Sequence, residues 1–285
     1  MDSPTVLRRR LGSELRRLRE RTGRQAKSVA DELGFSASKV SRIESGQTPL
    51  KESDVRAMLE LYGVRDEAEL RQMISLTRRS TQRGWWHDYT DTLPDWFQTY
   101  VGLEADAARV RSYESELVPG LFQTAGYARE VFRTFWSEQN NGQDIERRVK
   151  LRLQRQELIR NPEPLAVHAV LSEAAFRREV GGAQVMTKQV SHLVELAQLP
   201  NITIQVIPFS VGAHAAMGTN FRILSFSDVP GEVAFCESVS SSLYIEKKVD
   251  IVRYETVFNQ LTSLAMAPED SISWMQKLVT EGYGA

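Results

Sequence analysis

A single cysteine, Cys236, in a chain of 285 residues leaves no partner for an internal disulfide and suits a reducing cytosol. Histidine is almost as scarce. His87, His168, His192 and His214 are scattered along the chain without the short spacings that metal ligands need, so no metal site is expected. No run of about 18 apolar residues occurs, so no transmembrane helix is expected. The opening MDSPTVLRRRL lacks the apolar stretch of a signal peptide, and the chain reads as cytoplasmic. Phosphate-cradling glycine patterns are missing too: there is neither a P-loop nor a G-x-G-x-x-G. Ser225, Ser227 and Ser238 sit in no G-x-S-x-G elbow. No cofactor and no catalytic residue are therefore expected, and the chain does not read as an enzyme. Low-complexity tracts and internal repeats are absent as well. What remains is 41% hydrophobic and 26% charged, the composition of a globular protein long enough for two domains.

A net charge of −1 conceals an asymmetry. Residues 1–50 carry eleven Lys or Arg against six Asp or Glu, a balance of +5, and the remainder sums to −6. A basic head on an acidic body concentrates attraction for phosphate at one end of the molecule.

Within that head, GRQAKSVADELGFSASKVSRIESG (residues 23–46) has the pattern of two short helices joined by a tight turn. Val29, Ala30 and Leu33 form an apolar stripe at helical spacing, and Gly34 breaks it. Phe35 follows as a plug, Ser36 supplies an N-cap oxygen, and Val40 and Ile43 resume the stripe. Ala37, Ser38, Lys39, Ser41 and Arg42 then face outward, short or basic and without a carboxylate. Such a face suits the major groove of double-stranded DNA; an ordinary core hairpin is the alternative. Base readout falls on Ala37, Ser38, Ser41 and Arg42. Arg42 is the strongest candidate, since a guanidinium can hold guanine O6 and N7 bidentately, with a phosphate contact as its alternative role. Phosphate contacts fall on Gln25, Lys27, Lys39, Gln47 and Thr48, helped by the amide groups at the helix starts. An ion pair between Arg19 and Glu44 is expected to brace the unit.

Leu7, Leu11, Leu15 and Leu18 predict a first helix over Pro4 to Arg21. After a turn at Thr48-Pro49-Leu50, further helices are predicted over Glu52 to Tyr62 and Asp66 to about Arg79. This gives an all-α five-helix domain over residues 1–79, with a linker at about 78–90 that includes Gln82, Arg83 and Gly84. A second domain over 80–285 opens with Trp85, Trp86, Tyr89, Trp96, Phe97 and Tyr100, read as anchors onto a core in preference to a binding patch. From Glu104 to Arg160 the pattern is mostly helical, broken at Val118-Pro119-Gly120 and Asn140-Asn141-Gly142. Strands are predicted over Leu165 to Leu171, Ile202 to Ile207, Asn220 to Phe226 and Val233 to Glu237. Helices are predicted over Gln184 to Leu199, Lys248 to Ala265 and Ser271 to Thr280. The second domain is therefore α+β. Glu173, Arg177, Arg178 and Glu179 read as a salt-bridged helical stretch ending at Gly181-Gly182. His214 sits in a loop with no evident Asp or Cys partner.

The run LGSELRRLRERTGRQAKSVADELGFSASKVSRIESG resembles the XRE/Cro-repressor class of helix-turn-helix domains over about residues 10–62, which implies a lambda-repressor-like fold. By that resemblance the Arg19–Glu44 pair is structural. Members often carry Gln where this chain has Ala26, so one phosphate clamp is missing here. VPGLFQTAGYAR (118–129), RLQRQELI (152–159), LSEAAFRREVGG (171–182) and NITIQVIPFSVGAH (201–214) resemble the C-terminal domain of actinobacterial regulators of that class. That family is described as antitoxin-like, of toxin–antitoxin type, and its members are often encoded beside a very short partner protein. The resemblance implies a sequence-specific transcriptional regulator whose second domain binds a small partner protein, dimerises, or both. A homodimer also follows from energetics, because one small head covers a single half-site. Two alternatives stay open: a regulator that senses a small molecule in a pocket of the second domain, and a protein-interaction scaffold whose helix-turn-helix no longer reads DNA.

Overall fold

The structure, a computed structural model, describes residues 4–48, 50–81, 85–89, 93–135, 142–227 and 231–283. Pro49, the linker residues Gln82, Arg83 and Gly84, and the Asn140-Asn141 interruption lie outside the described residues. The chain divides into two compact units, one of residues 1–88 with 98–106 and one of residues 89–97 with 107–285.

Residues 4–80 of the first unit form five α-helices in succession: α1 (Pro4–Arg21), α2 (Ala26–Leu33), α3 (Ala37–Glu44), α4 (Glu52–Leu61) and α5 (Glu67–Ser80). Their ends follow local chemistry. Gly34 closes α2 in the left-handed region at φ 67°, and its N–H donates to the Ala30 carbonyl. The Ser36 hydroxyl caps α3 by accepting from the Lys39 amide at 3.1 Å. Asp66 does the same for α5, accepting from the amides of Ala68 and Glu69 at 2.7 and 2.9 Å. The apolar stripes meet in one core. Leu11, Leu15 and Leu18 of α1, Val29 and Ala30 of α2, Val40 and Ile43 of α3, and Val55, Met58 and Leu59 of α4 are all buried.

One residue of α1 sets how closely these helices approach. A side chain on Gly12 would put its Cβ 2.7 Å from the Glu44 carbonyl oxygen and closer still to that of Ile43. Only hydrogen fits between the backbones of α1 and α3. Helix propensity favours alanine over glycine by roughly 1 kcal/mol, whereas a backbone clash of this kind costs about 1–3 kcal/mol or more. Gly12→Ala is therefore expected to lower the urea midpoint of the first unit; a raised midpoint would show that the α1–α3 approach is looser than described.

The second unit is built on a six-stranded sheet in the order β3-β2-β1-β4-β5-β6. Its strands are β1 (Arg109–Glu114), β2 (Ala166–Ser172), β3 (Ile202–Ile207), β4 (Phe221–Ser225), β5 (Glu232–Glu237) and β6 (Ser242–Ile245). β1, β2 and β3 run parallel, with Val110 opposite Val167 and Ala169 opposite Ile204. β4, β5 and β6 continue antiparallel from β1. Helix α6 (Asp95–Asp106) precedes β1, and α7 (Ala125–Phe135) and α8 (Gly142–Gln156) form the crossover to β2. The short α9 (Ala174–Arg177) and α10 (Ala183–Leu196) lead to β3; α11 (Lys248–Leu264) and α12 (Pro268–Glu281) end the chain. α11 lies on one sheet face, where Phe258 and Leu261 join Tyr113, Val170, Ile223 and Phe221 in a buried cluster. This is the expected order of an all-α helix-turn-helix unit followed by an α+β domain.

Three local expectations need correction. The stretch read as mostly helical contains β1, which is central to the sheet. Its alternating apolar signal is hidden because Arg111, Ser112 and Glu114 occupy inward positions. Arg111 is paired there with Glu232 at 2.8 Å and Glu255 at 3.1 Å, and Glu114 with Arg222 at 2.7 Å. β6 was also not anticipated; it spans only four residues. Finally, the Glu173 stretch is helical only over Ala174–Arg177. Arg177 pairs with Glu173 at 3.1 Å, while Arg178 leaves the helix and pairs with Glu116.

Candidate nucleic-acid interface

The geometry of α2, the turn and α3 follows from one guanidinium. Arg19, near the end of α1, donates from Nε and Nη2 to the two carboxylate oxygens of Glu44 at 2.6 and 2.9 Å. Its Nη1 donates to the Arg24 carbonyl at 2.8 Å. One side chain thus ties the end of α1 to the end of α3 and to the residue before α2's N-cap. Both partners are largely buried, with 12% and 8% of their side-chain surfaces exposed, which separates this pair from surface ion pairs of little worth. The hydrogen bonds to Glu44 hold the Arg19 guanidinium above its ordinary pKa. Tyr62 lies beside the pair with its hydroxyl buried and no hydrogen-bond partner among the described residues, and burial raises its pKa.

With the scaffold fixed, the outward face can be read directly. Ala37, Ser38, Ser41 and Arg42 are all exposed on α3, on the side opposite Val40 and Ile43, which are wholly buried. Ser38 is within 3.0 Å of the capping hydroxyl of Ser36. Gln25 is the N-cap position of α2 and leaves its helix start without a side-chain cap. Gln25, Lys27 and Gln47 are exposed and Thr48 is half-buried. Gln47 is set by its amide, which donates to the Arg42 carbonyl at 2.9 Å. Ala26 packs against the hydrophobic core.

Lys39 is placed differently from its neighbours. Its ammonium lies 3.1 Å from Asp54 of α4 and 3.4 Å from the centre of the Phe35 ring. The expected phosphate contact is already an ion pair and a cation–π contact inside the unit. Sequence reasoning missed Asp54 because its partner is fifteen positions away across a turn, beyond any helical period. Gly12 was missed for a related reason: its constraint comes from the backbone of α3.

Comparison with known proteins gives the two halves separate matches. A model described as a helix-turn-helix domain matches residues 10–73. A model described as a domain of unknown function, DUF5753, matches residues 97–277, more than half of the chain. The chain belongs to the DUF5753 family. The helix-turn-helix match adds that its N-terminal part is of a DNA-binding type. No curated protein matches, and no solved structure does. Among the described residues no helix is long and apolar enough to cross a membrane, and no group of His, Cys, Asp and Glu side chains is placed to hold a metal ion.

The brace can be tested without any ligand. In a double-mutant cycle, Arg19→Met and Glu44→Gln should couple by about 1–3 kcal/mol in urea unfolding. Coupling under about 0.3 kcal/mol would place the pair among ordinary surface contacts.

Proposed function

We propose that this protein is a sequence-specific transcriptional regulator that binds double-stranded DNA through α3, and that it is not an enzyme. The observation that carries the reading is the outward face of α3, where four exposed, short or basic side chains stand with no carboxylate among them. A helix of this kind, held rigidly at both ends, meets the steric and electrostatic demands of the major groove. In this reading Ala37, Ser38, Ser41 and Arg42 meet base edges. Gln25, Lys27, Gln47 and Thr48 position phosphates, aided by the amide groups at the uncapped start of α2. Lys39 is a shared cation: it reaches phosphate only as far as Asp54 releases it.

Two measurements on DNA fragments selected from a random pool test this. Arg42→Ala should relax base preference at one position, at a cost of about 1–3 kcal/mol to the preferred sequence, while Lys27→Ala should weaken all sequences alike. Identical behaviour of the two variants would refute the division into readers and clamps. Asp54→Asn should raise affinity at low salt and steepen the salt dependence by up to about one released counterion. No change in that slope would mean that Lys39 does not face phosphate at all.

For the second unit we infer, from the resemblance of its motifs to antitoxin-like regulators, a role in binding a short co-encoded protein, in homodimerisation, or both. Co-purification with such a polypeptide supports the first role, and sedimentation as a monomer both free and on DNA opposes the second. A specific observation favours a ligand-sensing role beside these: a small arginine-lined cavity within the second unit. Failure to enrich any DNA sequence would leave the scaffold reading, for which Ala26 is the supporting residue.

A further inference from the structure

Among the described residues, the large apolar side chains that stand exposed all belong to the second unit, and three of them, Val249, Val252 and Leu264, are on α11. That helix is fastened from beneath. Ile251, Phe258 and Leu261 are buried, and Glu255 accepts from Arg111 at 3.1 Å. The Gln205 amide of β3 donates to the carbonyls of Thr262 and Met266 at 3.3 and 2.9 Å. On the side turned away from the sheet, Val249, Val252, Thr256, Asn259 and Ser263 are all exposed. They occupy the i, i+3, i+7, i+10 and i+14 positions that form one seam along a helix.

A helix whose outer face meets only water normally carries charge there. This seam carries none, and from Thr256 to Leu264 the helix has no charged residue at all. Its hydroxyl donors are already used: Thr256 donates to the Val252 carbonyl at 2.8 Å and Ser263 to that of Asn259 at 2.9 Å. Covering the seam therefore strands neither donor. Val249 and Val252, 58% and 48% exposed, gain from being covered, and a single amide such as Asn259 in a seam of this kind fixes register.

The charge pattern selects the occupant. Lys248, Asp250, Arg253 and Glu255 all lie in the first half of α11, and the second half is neutral. Asp250 pairs with Arg253 at 3.5 Å within the helix. A second α11 laid antiparallel about Thr256 sets each charged half against a neutral one, with Arg253 facing Asn259 and Gln260, and Val249 facing Ser263. A parallel arrangement would oppose Arg253 to Arg253 and Lys248 to Lys248. The face is thus complementary to itself under a two-fold axis, the condition for a symmetric dimer.

We propose that two copies of this protein pair through the outer face of α11, antiparallel across a two-fold axis at Thr256. The inference rests on the homodimer reading above and gives that dimer its surface. Sedimentation of the full chain without DNA, over a range of concentrations, tests it. The chain is expected to dimerise reversibly, and Val252→Glu should weaken the dimer at least tenfold while leaving the unfolding temperature of the monomer unchanged. Gln260→Glu should tighten it severalfold by setting a carboxylate opposite Arg253 of the other copy, a gain that damage to the fold cannot imitate. Adding Arg253→Glu to that variant should reverse the gain. A dimer indifferent to all of these substitutions would overturn the surface and leave the homodimer reading standing, whereas a monomer at every concentration would overturn both.

Discussion

The placement of α3 depends on a polar contact beside the apolar core of the first unit. Arg19 reaches Glu44 at the end of α3 with two nitrogens and the Arg24 carbonyl before α2 with a third. A planar fork of donors is suited to hold two separate elements at fixed angles; lysine, a single point charge on a flexible stem, is not. Burial makes the arrangement strict, because losing either partner leaves the other charge desolvated. Gly12 and Gly46 supply the complementary steric condition. Both bring backbone to backbone: a Cβ on Gly46 would meet the Arg9 backbone at 2.7 Å, as one on Gly12 would meet that of α3. Attraction through one side chain and close approach through two missing ones fix which face of α3 is left outside.

The second unit uses charge inside its core in a different way. The central strand β1 carries Arg111 and Glu114 on opposite faces of the sheet, and each finds its counter-charge on neighbouring elements. Burial pushes the Glu114 carboxyl upward while Arg222 pulls it back, so the pair offsets a desolvation cost that neither member would bear alone. These pairs tie strands to one another across the sheet. Arg111 bonds Glu232 of β5 across the intervening β4, and Arg222 links Glu114 of β1 with Glu237 of β5. A slip by one residue would reverse the faces of all of these side chains.

This distribution of polar groups explains what was legible in the sequence. In the first unit the signals that set the helix boundaries agree with the tertiary answer. Leucines at helical spacing, Gly34, the Ser36 cap and the apolar restart at Val40 place α1, the end of α2, the start of α3 and α4 to within a residue. The Arg19–Glu44 pair could be anticipated by resemblance. In the second unit, Ile202–Ile207 was legible because its strand is continuously apolar. β1 was not, because its inward residues include an arginine, a serine and a glutamate whose partners lie far along the chain. Lys39 shows the same limit at the candidate site. A lysine on an outward helix face reads as available, and only the fold brings Asp54 and the Phe35 ring to it. Arg152 and Arg155 of α8 likewise acquire their ring neighbours, Phe132 and Phe97, only through the fold.

The size of the α3 face constrains what it can do alone. Of its four outward residues only Arg42 can make a bidentate contact to a base. Alanine offers a methyl, and the two serines pair with several bases almost equally well. One bidentate contact discriminates by about 1–3 kcal/mol, whereas useful selection from a genome needs roughly 4–10 kcal/mol over non-specific DNA. With Ala26 contributing no amide and Lys39 shared with Asp54, phosphate contacts do not make up the difference, since they raise all sequences equally. In the proposed reading the shortfall is met by presenting the same face twice, to half-sites one helical turn apart. On that proposal the helix-turn-helix unit is too economical to act as a monomer, and pairing two copies would fall to the larger, sheet-based unit.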